Sequence, residues 1–422
     1  MQTIRGTKDI LPNEISAWQQ LYYDALKLLK LYSYNEIRTP IIENTEVFLR
    51  SVGNSTDIVN KEMYRFMDQG KRDICLRPEG TASIARAIAS NKLYLNNPIQ
   101  KLWYMGPMFR YERPQQGRQR QFHQLGIECI GTDNPIADVE VINIACNLLS
   151  IVKYNDYRIE INSLGTTEER SKYKIAFKDF LKIYEHDLDN DSKKRLETNP
   201  LRILDSKNTK TRELIKEAPC ISHFLEKESK QHFETVIESL SQLNIPYTIN
   251  TKLVRGLDYY NHTAFEIINN KIDKEETICG GGRYHYLVKQ FGGPDISGVG
   301  WAIGIERLLK NINHMNINEK KDIRFEIIAN TLNGQKRACQ LSKLLADNNI
   351  MFQFNFSQQN LNKQIKKAIQ NQLTGCIIIG DDEVQNSTIT IKWFTQRYQE
   401  TIAYEQVIHY LNNKIQKKLQ LL

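Results

Sequence analysis

No CxxC pair occurs among the seven cysteines of this 422-residue chain, Cys75, Cys129, Cys146, Cys220, Cys279, Cys339 and Cys376, and their number is odd. The scatter argues against a disulfide framework and against a zinc site, and it fits a reducing compartment. Apolar runs long enough to span a membrane are missing too, and the opening MQTIRGTKDILPNE lacks the basic-then-apolar order of a secretory signal. A soluble, cytoplasmic protein with no membrane partner is expected. There is no GxGxxG, so a dinucleotide site is not expected. Solenoid-period repeats and low-complexity tracts are also missing.

What remains is ordinary in bulk. Apolar residues make up 41% and charged ones 25%, values of a globular chain rather than a disordered one. Its length predicts two or three domains. Lys and Arg outnumber Asp and Glu by 57 to 49, a net +8, which permits a polyanionic partner but equally suits a mildly basic enzyme.

Apolar positions at helical spacing (Ile15, Trp18, Leu21, Tyr22, Leu28, Leu29) predict a helix over 14–31, followed by an extended stretch over 34–42 broken at Pro40. Segments 102–109 and 122–131 suit strands joined by a polar loop rich in Arg, Gln and Gly, a long basic hairpin. The Lys- and Glu-rich stretch 166–248 carries helical periodicity at 168–184 and 226–243, as a helical insertion within a sheet-based domain would. Strand and glycine signals resume over 247–304, and GIERLLKNI predicts a helix. From 323 onward strand-like and helical segments alternate (IRFEIIA, a helix at 335–348, a strand at 350–356, a helix at 360–372, CIIIG, STITIKWF, a closing helix), predicting a compact α/β unit.

Five stretches carry candidate chemistry. LVRGLDYYNHTAFE (253–266) places Arg255 beside Tyr259 and Tyr260 in a strand-like run, a guanidinium for an anion next to hydroxyls for a small polar ligand. CGGGRYHYLVKQFGG (279–293) brings adjacent glycines that allow close backbone approach, as the second wall of one pocket. MFRYERPQQGRQRQFHQLGIE (108–128) sets Arg110, Arg113, Arg118 and Arg120 around a turn, with Phe122 and Glu128 on the returning strand. Such forks suit a nucleoside triphosphate or RNA; a solvated basic hairpin with Phe122 in the core explains the segment equally well. In LRPEGT (76–81), Glu79 and Thr81 can grip an ammonium group together or cap a helix. GVGWAIGIERL (298–308) runs into Glu306 and Arg307, the arginine either meeting a phosphate or forming a helix-surface pair.

IRTPIIE, FRYERP with RQFHQLGIE, and GVGWAIGIERL resemble the three signature motifs of class II aminoacyl-tRNA synthetases. LVRGLDYYNHTAFE and GGGRYHYLVKQFGG resemble the two blocks peculiar to the histidyl-tRNA synthetase family, and IRGTKDILPNE and NPLRILDSKN are similar to that family as well. The likeness runs over essentially the whole chain. It implies an α+β catalytic domain with a mainly antiparallel sheet flanked by helices (1–165 and 249–320), a helical insertion (166–248) and a C-terminal α/β anticodon-binding domain (323–422). It implies ATP-dependent ligation of L-histidine to tRNA(His) through a histidyl-adenylate, releasing AMP and pyrophosphate.

By that resemblance Arg110 and Arg255 are catalytic, holding the α-phosphate and the substrate carboxylate. Arg110, Arg118, Phe122 and Arg307 bind ATP. Glu79, Thr81 and Gln124 bind the α-amino group of histidine, Glu128 and Tyr260 surround its imidazole, and Tyr259, Gly281 and Tyr284 line the same pocket. Arg113, Gln115, Gln116 and Arg120 meet the tRNA. The family is a homodimer with the region of Pro40 near its interface, and magnesium accompanies ATP as a cofactor without an assigned protein ligand. Two departures stand out: His285 and Tyr286 where the family has Asp-Gly, and His262 where it often has Arg. Both histidines are read as packing or surface residues rather than metal ligands. Competing readings are a regulatory subunit of ATP phosphoribosyltransferase, which generally lacks the C-terminal unit, and an RNA-binding protein with a dead synthetase-like domain, which predicts eroded Arg110 or Arg255.

Overall fold

The computed structural model describes residues 1–53, 56, 58–112, 118–270, 276–312, 323–357 and 359–419. The chain divides into two compact units, Met1–Met315 and Asn316–Leu422.

Strands of the first unit are β1 (Asn35–Glu36), β2 (Ile42–Asn44), β3 (Arg65–Met67), β4 (Asp73–Leu76), β5 (Gln100–Phe109), β6 (Gln121–Ile130), β7 (Tyr157–Ser163), β8 (Thr248–Ile249), β9 (Tyr260–Asn269), β10 (Glu276–Tyr284) and β11 (Gly298–Gly304). Eight of them form one sheet in the order β1-β5-β6-β11-β10-β9-β7-β8. Its central pairings are antiparallel, and only the short edge strands β1 and β8 pair in parallel. The expected mainly antiparallel sheet is therefore present. Strands β2, β4 and β3 make a separate small antiparallel sheet.

The helices are α1 (Pro12–Leu31), α2 (Thr45–Val52), α3 (Thr81–Ser90), α4 (Pro135–Ile151), α5 (Thr167–Ile183), α6 (Asn190–Thr198), α7 (Thr209–Lys216), α8 (Lys227–Gln242), α9 (Leu287–Gln290) and α10 (Ile305–Asn311). Side chains alternate across a strand, so each strand of the large sheet serves two environments. On one face Trp103, Leu125, Ile127, Ile161, Phe265, Ile267, Val299, Trp301 and Ile303 pack against Trp18 and Leu21 of α1, Val141 and Leu148 of α4, and Val236 and Leu240 of α8. Thus α8, though it closes the predominantly helical stretch 166–248, packs with the main sheet. Helices α5, α6 and α7 build a core of their own around Tyr173, Phe177, Leu181, Leu196, Ile203 and Ile215, and that core meets the sheet at Tyr260 and Ala264. The opposite face of the large sheet, opened by small and polar residues, carries the cavity described below.

Arg283, within the glycine-rich block, is fully buried. It pairs with Asp138 of α4 and donates to Thr132 O at 2.7 Å, Asn134 O at 3.1 Å and Ser297 Oγ at 3.0 Å. A charge so fully paired inside the protein is an anchor for β10 rather than a ligand group.

In the second unit β12 (Arg324–Ile328), α11 (Leu332–Asp347), β13 (Met351–Phe354), α12 (Leu361–Gln370), β14 (Gly375–Ile378), α13 (Asp381–Gln385), β15 (Thr388–Trp393), β16 (Tyr398–Ala403) and α14 (Val407–Leu419) follow in order. The five strands form a mixed sheet, β13-β12-β14-β15-β16, with β12 parallel to both neighbours. Phe325, Ile327, Ile377, Ile391 and Trp393 bury against Leu341, Leu345 and Leu411.

Candidate active site

A cavity of about 750 Å³ opens over the sheet face formed by β6, β9, β10 and β11. Arg110, Arg255 and Arg307, separated by up to 197 positions in the sequence, all line it. Alternation on β6 explains the wall: Leu125, Ile127 and Cys129 go to the core, while Gln124, Gly126 and Glu128 take the other face.

Arg255 lies in the loop before β9, not within the strand-like run expected for it. Its Nη1 donates to Glu266 Oε1, and its guanidinium sits 5.6 Å from the Tyr260 ring. Burial works against its charge, but Glu266 and the neighbouring tyrosines raise its pKa above the ordinary arginine value. Opposite it, a methyl group built on Gly280 would lie 2.2 Å from Arg255 Nη2. Only glycine leaves the guanidinium that space.

Thr277 Oγ1 donates to the second oxygen of Glu266 at 2.9 Å, and the carbonyl of the same threonine accepts from Arg307 Nη1 at 3.0 Å. Burial lowers the Arg307 pKa. Its neighbour Glu306 turns the other way, accepting from His123 N at 2.9 Å and lying 2.9 Å from His123 Nδ1. Arg307 and Glu306 are thus not a helix-surface pair. Arg110 donates from Nε to Pro78 O at 2.9 Å and stands 5.2 Å from the Phe122 ring. Phe122 is half-buried: it lines the cavity and also packs against the cluster of Tyr104 and Met108. Arg118 pairs with Glu112 at 3.0 Å.

Glu79 is at once the helix cap weighed for it and part of the cavity wall. Its carboxylate caps α3, accepting from Thr81 N at 2.7 Å and Ala82 N at 2.8 Å, and it also lines the cavity. Burial raises its pKa, against the pull of those N–H groups and of Arg110. Thr81 Oγ1 donates to Glu128 Oε1 at 2.6 Å, and Tyr284 donates to Glu128 Oε2 at 2.7 Å. Burial pushes the Glu128 carboxyl up to about 8.

A family profile described as histidyl-tRNA synthetase matches residues 6–308, and one described as anticodon binding domain matches residues 316–414. The chain belongs to the histidyl-tRNA synthetase family. It is 55% identical over 416 residues to the chloroplastic histidine–tRNA ligase of Gracilaria tenuistipitata var. liui, covering 98% of this chain and 99% of that one. It is 45% identical to the histidine–tRNA ligase of Cyanothece sp., covering 99% and 97%. The crystal structure of apo S. aureus histidyl-tRNA synthetase superposes with a TM-score of 0.80 at 36% identity, covering 97% of this chain and 99% of that one.

Among the residues expected of a synthetase site, Glu79, Thr81, Arg110, Arg118, Phe122, Gln124, Arg255, Tyr259, Tyr260 and Arg307 come together around the cavity. Glu128 and Tyr284 stand one layer behind, reaching it through Thr81. Gly281 faces away: a methyl there would meet Gly300 O, Trp301 and Phe265 on the core side. Gly280, which lines the cavity, leaves the Arg255 guanidinium its space there. Arg120 leaves the cavity to lie 3.9 Å from the Tyr111 ring. Arg113, Gln115 and Gln116 fall outside the described residues.

Tyr104, Glu112 and Glu266, which reasoning from the sequence passed over, also line the cavity, as does Glu306, weighed there only as a surface partner of Arg307. Tyr104 sits in the apolar run LWYM, where it reads as core; its hydroxyl, like Gln124 Oε1, is buried without a hydrogen-bond partner among the described residues. Unpartnered polar atoms facing a cavity are groups that a ligand can satisfy. Glu266 alone had a legible signal, a carboxylate at the end of the block that carries Arg255.

Proposed function

We propose that this synthetase joins L-histidine to tRNA(His) in two steps at the cavity over β6, β9, β10 and β11. A histidine carboxylate oxygen attacks the α-phosphorus of ATP, forming a P–O bond as the bond to the β-phosphate bridging oxygen breaks and pyrophosphate leaves. A ribose hydroxyl at the tRNA terminus then attacks the carbonyl carbon of the histidyl-adenylate, and AMP departs. The convergence of Arg110, Arg255 and Arg307 on one cavity supports this reading more than any other observation.

Arg110 and Arg255 act on the α-phosphate and the substrate carboxylate. Negative charge grows on the phosphoryl oxygens during attack, so fixed cations there favour the transition state over the ground state. Glu266 holds Arg255 in place and keeps it charged. Arg307 takes the triphosphate tail, Arg118 assists it, and Phe122 stacks near adenine. Glu79, Thr81 and Gln124 receive the α-amino group. Tyr260, with Tyr259 beside it and Glu128 behind Thr81, offers a neutral imidazole a donor and an acceptor. An analogue lacking either partner would strand a buried polar group, the strongest basis for discrimination. Arg113, Gln115, Gln116 and Arg120 meet the acceptor end of the tRNA, and residues 323–422 read the anticodon.

Magnesium would arrive with ATP. Among the described residues no group of three or more His, Cys, Asp and Glu side chains is disposed to hold a metal ion. Phosphate oxygens would supply most ligands, and Glu112 on the cavity wall is suited to complete the shell. A homodimer is supported by the exposed apolar side chains of the small sheet and its approach, Ile41, Ile42, Phe66 and Met67, next to Pro40. Seven free cysteines suit a reducing interior, the cytoplasm or a plastid, and no helix among the described residues is long and apolar enough to cross a membrane.

The test is amino-acid-dependent ATP–pyrophosphate exchange with the purified protein. Histidine alone should support exchange; equal exchange with other amino acids, or none with histidine, overturns the proposal.

A further inference from the structure

The motif NPLRILDSKN (199–208) takes no part in the steps above, yet it touches the loop that carries Arg255. Arg202, in the 3-10 turn Pro200–Ile203, donates from Nη2 to the carbonyl of Gly256. Asn199 Nδ2 donates to Asp258 Oδ1 at 3.3 Å. From α5, Arg170 donates to Asp258 O at 3.0 Å and to Tyr260 O. Donors from the helical insertion thus take the carbonyls of residues 256, 258 and 260, alternate positions along one loop.

That loop is open on both sides. A second cavity, of about 220 Å³, lies behind it, lined in part by Arg170, Asn199 and Arg202, and Arg255 and Leu257 line both cavities. Val254, Leu257 and Tyr259 pack their side chains against neighbouring apolar clusters, but with space on each side the course of the backbone between them rests on its hydrogen bonds. The remaining described backbone tie of the loop centre, Asp258 N to Val52 O, is long at 3.3 Å. Burial lowers the Arg170 pKa, and the side chain of Arg202 is only 22% exposed, so both guanidiniums are held where water competes little for them.

We infer that Arg202 and Arg170 are positioning residues for adenylate formation, holding loop 254–260 so that Arg255, Tyr259 and Tyr260 point into the larger cavity. The inference rests on the reading of Arg255 given above. The insertion then supports catalysis from outside the catalytic sheet, and a displacement of about 1 Å at the loop is enough to cost up to a hundredfold in rate.

Histidine-dependent pyrophosphate exchange separates this role from a merely structural one. Arg202→Ala should lower kcat by about ten- to a hundredfold and raise the KM for histidine, with the KM for ATP and the melting temperature near those of the parent. At saturating histidine it should cause no further fall in kcat in an Arg255→Ala background, because a residue acting through another is not additive with it. Parent-level exchange by Arg202→Ala, or an undiminished effect in the double variant, overturns the inference. Should Arg202→Ala not fold, Arg202→Gln and Arg170→Lys, each keeping a donor, undergo the same comparison. Parent-level exchange by Arg255→Ala alone would instead sink the underlying reading of the site.

Discussion

The α-carbon of Gly280 faces the Arg255 guanidinium so closely that a single added methyl would stand 2.2 Å from Nη2. Gly280→Ala should therefore behave as an indirect Arg255 variant. A loss of about a hundred- to a thousandfold in pyrophosphate exchange is expected, as for removal of a preorganised donor, with circular dichroism unchanged. Steady-state kinetics within twofold of the parent would mean that Arg255 does not need its observed position.

Glu128 has its carboxyl raised to about 8 by burial, against an ordinary value of 4.5. In the window between those values the folded state holds a proton that the unfolded chain releases, so this group's contribution to stability falls as pH rises through the window. Glu128→Gln cannot titrate, and its melting temperature should decline less from pH 5 to pH 8 than that of the parent. The KM for histidine should likewise lose an ionisation near 8 in this variant. Parallel profiles for the two proteins would dismiss the assignment.

His262 lies against His232 and His285, ring centroids 5.0 Å and 6.0 Å away, with Arg283 and Glu169 also acting on it. Burial lowers its pKa from 6.5 to about 4, and burial also lowers that of His232. For a base with a depressed pKa, stability is complete above the unfolded value and drains away as pH falls toward the folded one. Thermal stability should thus drop between pH 6.5 and pH 4, and His262→Asn should blunt that drop; an unaltered acid limb in the variant would refute it.

Binding of tRNA through the hairpin and the C-terminal unit should be governed by phosphates. If six or more are contacted, affinity should fall by roughly a thousandfold between about 50 and 200 mM salt. Filter binding over that range checks it, and a flat response would point to readout of bases alone.

The three arginines were legible because each stands in a recognisable motif, and strands β5 and β6 were legible from their patterns, while the antiparallel sheet as a whole came with the family resemblance. What escaped has physical reasons. The face taken by each residue in Gly280-Gly281-Gly282 depends on parity, which glycines lacking side chains cannot display, and β10 also shifts register between Thr277 and Cys279. Tyr104 carries its polar atom at the tip of a large apolar ring, so composition places it in the core. Strand β16 was passed over because YQETIA, mostly exposed, has the polarity of an edge. The β2-β4-β3 sheet went unseen because strands of three and four residues are too short to show a period.

Thr277 joins Glu266, and so Arg255, by its hydroxyl and holds Arg307 by its carbonyl. On the assignment proposed above, the amino-acid end and the nucleotide end of the cavity therefore have a common hinge pin. Filling either end loads that pin, and by thermodynamic reciprocity any help that histidine gives ATP must be returned in equal measure.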